Sequence, residues 1–305
     1  MGNEIAPVGP AYYDYPALKA PVWTWEVPAY FFVGGTAGAA ALIGAVARRT
    51  GGSDTLVRDA RWIAAAGAAL SPPLLISDLG RPERFLNMLR VFKVRSPMSV
   101  GAWTLVAFSN AAAASAFADL AHRATGGRLP VSIVSDAADL LSAGTGLVLS
   151  TYTGVLLGAT AIPVWSANAT LLPLHFGASG LASAVSILEL LGHRGRALNA
   201  LGIGTAAVET AMAAHVALSD EPAMRAIKEG GAGALARAAG VLSGPVPLIL
   251  RICAGRSRNG RRAAAIAAIA GSILTRAAWV AAGKSAGAAG QAIAISSRRD
   301  AEPPA

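Results

Sequence analysis

The chain has 305 residues, of which 54% are hydrophobic and only 14% charged. A soluble domain carries about 25% charged residues, so a soluble fold of this size could not hide so much Ala, Leu, Val and Gly, whereas a bilayer is itself an apolar solvent. The net charge of +9 points to lipid headgroups rather than nucleic acid. Lys and Arg fall in short clusters between apolar runs, where membrane proteins concentrate them, and they form no basic stripe on a soluble domain.

Residues 1–27 are polar and aromatic, with Tyr12, Tyr13, Tyr15, Trp23 and Trp25 among four prolines. That composition suits an interfacial segment. It has neither the basic n-region nor the apolar h-region of a cleavable signal, so the first span is expected to direct insertion. Apolar runs follow at 28–47, 60–79, 98–121, 138–161, 169–191, 199–218, 234–254 and 263–283. Each has roughly the 20 residues a helix needs to cross the hydrocarbon, and backbone groups without water partners must bond within a helix. The expected fold is an all-α integral membrane protein of about eight transmembrane helices in two four-helix bundles, occupying 28–284, with a polar, flexible tail at 285–305. The third and sixth spans are Ala-rich and the seventh contains Pro245 and Pro247, so seven is the alternative count.

Ser142, Gly146, Ser150, Gly154 and Gly158 fall four apart on the fourth span, and Gly34 and Gly38 do so on the first. Such faces let helix backbones approach closely in lipid and carry no chemistry. An even number of spans places both termini on one side, called here the terminal side. Basic residues divide almost equally between the two sides. With the basic 79–97 loop set aside as a ligand or partner surface, the positive-inside rule puts both termini outside.

Candidate chemistry begins at Asp78, which closes the second span. Arg81 lies three residues on, within reach of a charge-assisted hydrogen bond. Intramembrane charges are functional candidates, although the same pair would also serve as a helix-end cap. Tyr152 falls mid-span in the fourth helix, where its hydroxyl must find a partner, either a ligand or a neighbouring helix. Glu26, at the entrance of the first span, is a candidate proton acceptor or a solvated interfacial carboxylate. Glu189 and Glu209 are candidate rungs of a proton relay. Glu189 is expected to pair with His193 or Arg194, while Glu209 has no partner in the sequence. His175 and His215 could ligate one b-type haem if their rings faced each other. The one cysteine, Cys253, excludes a Cys-ligated iron–sulfur cluster in this chain.

Four pieces together resemble the NrfD and polysulfide reductase membrane subunits: Pro21-Val-Trp-Thr-Trp-Glu-Val-Pro-Ala-Tyr-Phe-Phe-Val-Gly-Gly-Thr-Ala-Gly38; the Asp78-Leu-Gly-Arg-Pro82 segment with Arg84-Phe85 and Met88-Leu89; Ser96-Pro-Met-Ser-Val-Gly-Ala-Trp103; and Tyr152-Thr-Gly-Val-Leu-Leu-Gly158 with Ile162-Pro-Val-Trp165. Their order and spacing are also similar, over about residues 12–190. The resemblance implies an eight-helix subunit without haem or metal in a bacterial cytoplasmic membrane. Such a subunit exchanges electrons between quinone (menaquinone or ubiquinone) and an extrinsic ferredoxin-like iron–sulfur subunit serving a molybdopterin or multihaem catalytic subunit. It also implies a quinone pocket among the first four helices on the terminal side, where 21–30 and 78–103 both emerge. Asp78, Arg81, Tyr152 and Glu26 are its candidates for quinone binding or proton transfer. A transporter or channel is the competing reading, since Pro72-Pro73 and Pro245/Pro247 interrupt two spans as in broken transporter helices.

Overall fold

The computed structural model describes residues 21–126 and 132–299. The interfacial segment expected over 1–27 lies outside them as far as residue 20, as does the end of the tail from residue 300. The elements are α1 (Glu26–Arg49), α2 (Asp54–Ser77), α3 (Arg84–Met88), α4 (Pro97–Ala124), α5 (Ser132–Gly158), α6 (Pro163–Ser166), α7 (Leu171–Leu190), α8 (Arg196–Leu218), a 3₁₀ turn (Pro222–Met224), α9 (Arg225–Lys228), α10 (Gly230–Ser243), α11 (Pro245–Ala254) and α12 (Arg258–Arg299). Local chemistry sets their ends. Ser53 caps α2 by accepting from the Leu56 N–H, and Ser96 caps α4 by accepting from Ser99, with Pro97 in the first turn where its missing N–H costs nothing. Gly80 takes φ +62°, the left-handed conformation that turns the chain out of α2 and into the basic loop.

Seven helices are long and apolar enough to cross a membrane: α1, α4, α5, α7, α8, the joined pair α10–α11, and α12. The third, sixth and seventh spans, compositionally the weakest, are all among them. The helix left out is α2, whose apolar run is diluted by Arg61 and the Pro72-Pro73 pair. It has the same length as α1, 24 residues, and packs against α1 and α4. Gly244 and Pro245 divide the seventh crossing into α10 and α11, because proline cannot donate to the preceding turn.

Helices α1, α2, α4 and α5 form one bundle; α7, α8, α10–α11 and α12 form the other. α1 belongs to both, since it also touches α7 and α12. The small-residue stripes explain how. A Cβ on Gly38 would overlap the Gly146 carbonyl, and one on Gly146 would stand 2.7 Å from the Gly38 carbonyl oxygen. The α1 and α5 backbones are therefore in direct contact. On the adjoining face, a Cβ on Gly180 of α7 would come within 2.8 Å of the Gly35 carbonyl oxygen. Close backbone approach of this kind substitutes for the hydrophobic drive that lipid removes.

The packing has a direct test. Gly38→Leu places a side chain where the α5 backbone already stands, and overpacking costs about 1–3 kcal/mol even where neighbours can shift. The variant is expected to lose most of its folded yield in fluorescence-detected size-exclusion chromatography. Gly144→Ala, on the same helix as Gly146 but with no atom within 4 Å of the added carbon, should behave like the wild type.

Candidate functional site

The exit of α2 and the entrance of α1 meet on the terminal side. The Asp78 carboxylate accepts from the Thr24 N–H at 3.1 Å and from the Thr24 hydroxyl at 3.0 Å, and the same hydroxyl contacts Glu26. Thr24, unremarked in the sequence, thus joins the two acids into one cluster. Its signal was its place two residues before Glu26, in the segment shared with the resembling family. The expected Asp78–Arg81 ion pair does not form among the described residues. Gly80 carries Arg81 out to solvent, and Asp78 spends its lone pairs on Thr24.

Tyr152 of α5 is buried, 7% exposed. Its ring is pressed against the Gly101 backbone of α4, where any Cβ would collide with it. Simple counting placed Tyr152 near mid-membrane, but α5 stops at Gly158. The tyrosine therefore lies about 9 Å from the helix end at 1.5 Å per residue. The segment before α1 is pinned by Trp23, stacked on Trp165 at 5.3 Å with an interplanar angle of 18°, and Trp165 in turn donates its indole N–H to the Trp279 carbonyl at 2.8 Å. Around the rim, the loop carrying α3 exposes Arg90, Lys93 and Arg95 together with Leu86, Phe92 and Val94. A cleft of about 320 Å³ there is lined by Asn87, Arg90, Lys93, Met98 and Ser99.

The opposite side is held by ion pairs. Arg61 of α2 binds Asp139 of α5 through Nε at 2.9 Å and a second nitrogen at 2.5 Å, and reaches Asp119 of α4 at 3.2 Å. Arg48 of α1 joins Asp136 at 2.5 Å. In the second bundle Glu189 does not take His193 or Arg194 as its partner. It lies between Arg251 of α11, at 2.9 Å, and Arg261 of α12. His193 binds Asp59 at 2.8 Å, and Arg194 offers only its carbonyl, to Arg261. The guanidiniums reach Glu189 from helices 62 and 72 residues away in sequence, which is why local spacing suggested the wrong partners.

Glu209, without a partner in the sequence, meets His175 Nε2 at 3.2 Å in the interior of the second bundle. His175 is buried there, whereas His215 is exposed on α8. Arg276 of α12, wholly buried, donates to Ser179 at 2.7 Å and to the Phe176 carbonyl at 3.3 Å, and its guanidinium lies over the Phe32 and Phe176 rings. Asp139, Arg251 and Arg276 escaped the sequence reading. Arg251 and Arg276 were visible as lone charges inside apolar runs, and Asp139 as the second of two acids, with Asp136, at the start of one. Among the described residues no group of three or more metal-ligating side chains is found.

A two-bundle, all-helical protein with seven helices long and apolar enough to cross a membrane and with ion pairs buried between them is an integral membrane protein. The family model for the polysulphide reductase NrfD proteins matches residues 16–283, and the chain belongs to that family. It is therefore a multi-pass membrane subunit of the kind found in polysulphide reductase-like oxidoreductase complexes, and it is quinone-linked. None of the curated proteins compared with the chain matches it.

The buried ion pairs set a stability expectation. Removing one partner of a buried pair leaves an uncompensated charge and costs about 3–5 kcal/mol. Glu189→Gln, which strands Arg251 and Arg261, should lower the thermal midpoint of the detergent-solubilised protein by many degrees. A midpoint equal to the wild type would show that the clamp adds no net stability.

Proposed function

We propose that the chain passes electrons between membrane quinone and an extrinsic ferredoxin-like iron–sulfur subunit, and through it a molybdopterin or multihaem catalytic subunit. The quinone headgroup, of menaquinone or ubiquinone, sits on the terminal side among Asp78, Glu26 and Tyr152, with Arg81 at the rim. The observation that carries this reading is the Thr24 bridge. It fixes two carboxylates from different helices at one point.

The chemistry follows from the headgroup. Reducing a quinone to a quinol adds two electrons and two protons, and the carbonyl oxygens must be held by donors while those protons arrive. The Tyr152 hydroxyl is such a donor. Asp78 and Glu26, near the surface yet anchored, supply and accept protons. Arg81 brings positive charge to the side where negative charge develops. The exposed apolar and basic residues of the α3 loop suit docking of an acidic partner, which keeps the cluster within tunnelling distance of the pocket. Any coupling to proton movement across the bilayer would run through Glu209 with His175. Glu189, the other candidate rung, lies on the far side between two guanidiniums. In the bacterial cytoplasmic membrane the termini, and so this pocket, face outward.

Two experiments test the site. Asp78→Asn removes a proton acceptor while keeping the shape. Quinone-linked turnover of the assembled complex should fall by about 10²–10⁴, the usual worth of a general acid or base. Dye-linked activity of the catalytic subunit should persist. Tyr152→Phe, which deletes one hydrogen bond worth about 1 kcal/mol, should cost only severalfold. If Asp78→Asn assembles normally and turns over quinone at the wild-type rate, the cluster is structural. The docking surface is tested separately, in a Cys253→Ser background because Cys253 is exposed. Cysteines placed at 90–95 should cross-link to the iron–sulfur subunit, and failure to capture it from any of these positions would place the interface elsewhere.

A further inference from the structure

A cavity of about 620 Å³ lies in the second bundle, between α8, α10 and α12, well away from Asp78 and Tyr152. Its walls are aliphatic, with Trp279 along one side, and its floor is the His175–Glu209 pair. Three buried polar atoms at this floor have no hydrogen-bond partner: His175 Nδ1, Glu209 Oε1 and Ser243 Oγ. Their residues are 6%, 1% and 2% exposed. Buried polar atoms are normally satisfied, and three at the end of one apolar cavity mark the place of a ligand's polar head. A volume in the range of small-molecule sites accommodates a ring and several units of an apolar tail.

We infer that this cavity is a second, separate binding site, for an isoprenoid quinol in its reduced form. The preference for the quinol comes from the hydrogen-bonding inventory. With a carboxylate beside Nε2, that nitrogen carries the ring proton and donates to Glu209. His175 Nδ1 and Glu209 Oε1 are then both acceptors. The Ser243 hydroxyl beside Glu209 can serve only one of these two acceptors, which leaves one that calls for a donor; the hydroxyl of a quinol provides it and the carbonyl of a quinone does not.

The remaining contacts fit the same ligand. Trp279 stands edge-on to His175, at 6.3 Å and 79°, and offers a face to an aromatic ring. The cavity opens sideways between α8 and α10, where Ala214, Ala217 and Val241 are exposed, so an isoprenoid tail can leave directly into lipid. Lys228 and Arg237 lie near this opening, but both are occupied. Lys228 caps the α8 carbonyls of Ala217, at 3.0 Å, and Ser219, and Arg237 donates to the Lys228 carbonyl at 3.0 Å. That engagement disfavours a phospholipid phosphate as the head. The inference rests on the quinone-linked reading of the protein.

The test is photolabelling of the assembled complex in lipid nanodiscs with an aryl-azide benzoquinone carrying a decyl tail. The probe is applied reduced and, in parallel, oxidised, and labelled peptides are mapped by mass spectrometry. The reduced probe should label peptides from 205–217 or 236–245, excess decylubiquinol should compete, and the oxidised probe should label them far less. Glu209→Gln and His175→Phe should each cut that labelling about tenfold, the worth of a hydrogen bond to a charged or strongly polar partner, while labelling of α1, α2 and α5 is unchanged and reports that the fold is intact. Labelling confined to α1, α2 and α5 would overturn the second site and leave the first standing. Labelling of α8 or α10 that excess quinol leaves untouched but added phospholipid displaces would show a lipid crevice and overturn it as well. Labelling of neither bundle would overturn both readings.

Discussion

Contact between bare backbones at α1 is the constraint from which the rest of the structure follows. Gly38 meets Gly146, and Gly35 meets Gly180, at separations that exclude any side chain. One helix can therefore be shared by two bundles, with α5 on one flank and α7 on the next. That sharing places the α1 entrance beside the α2 exit, where Thr24 reaches Asp78. It also brings Arg276 of α12 within reach of the α1 face at Gly35, where a Cβ would stand 3.2 Å from its guanidinium. A bilayer gives helices little hydrophobic reason to associate, so contacts of this closeness have to supply the association.

Charge follows a second rule. Most of the deep acids and bases are paired across helices: Arg61 with Asp139 and Asp119, Glu189 with Arg251 and Arg261, Glu209 with His175. The first two sets pin helices that are not consecutive in the chain, and the last joins the consecutive α7 and α8. Where pairing is complete, as around Arg61, the cluster works as a clasp. Where it is incomplete, at the His175–Glu209 floor, polar atoms are left facing a cavity. At Asp78 and Glu26 the partner is a threonine.

Much of the fold was legible because hydropathy in lipid is nearly deterministic: apolar runs of about 20 residues have no alternative to helix. The glycine stripe on the fourth span was legible too, since spacing by four is a property of one helix. Partners across helices were not. Glu189 looked bound to its neighbours His193 and Arg194, because a sequence shows only what is near in the chain. Arg251 and Arg276 were visible as charges in apolar runs, but nothing local says which acid they meet. The balance of basic residues between the two sides misleads for the same reason. Arg48, Arg61, Arg123 and Arg261 all bind carboxylates within the fold, so they say less about headgroups and membrane orientation than a count suggests. At the α1–α2 end of the first bundle the motif segments drew attention to Asp78, Glu26 and Tyr152, while the Thr24 bridge and the outward turn of Arg81 had no signature in the sequence.

The account's central claim is that quinone is bound at the terminal end of the first bundle. Its most direct test is a cryo-electron microscopy map of the assembled complex with a tight-binding quinone analogue. The account predicts ring density bounded by α1, α2, α4 and α5, with one oxygen at the Tyr152 hydroxyl, the other towards Asp78, and the partner's nearest iron–sulfur cluster on the same side of the membrane. Ring density at the Arg61–Asp139 end of that bundle, or a cluster docked on that opposite face, would contradict it.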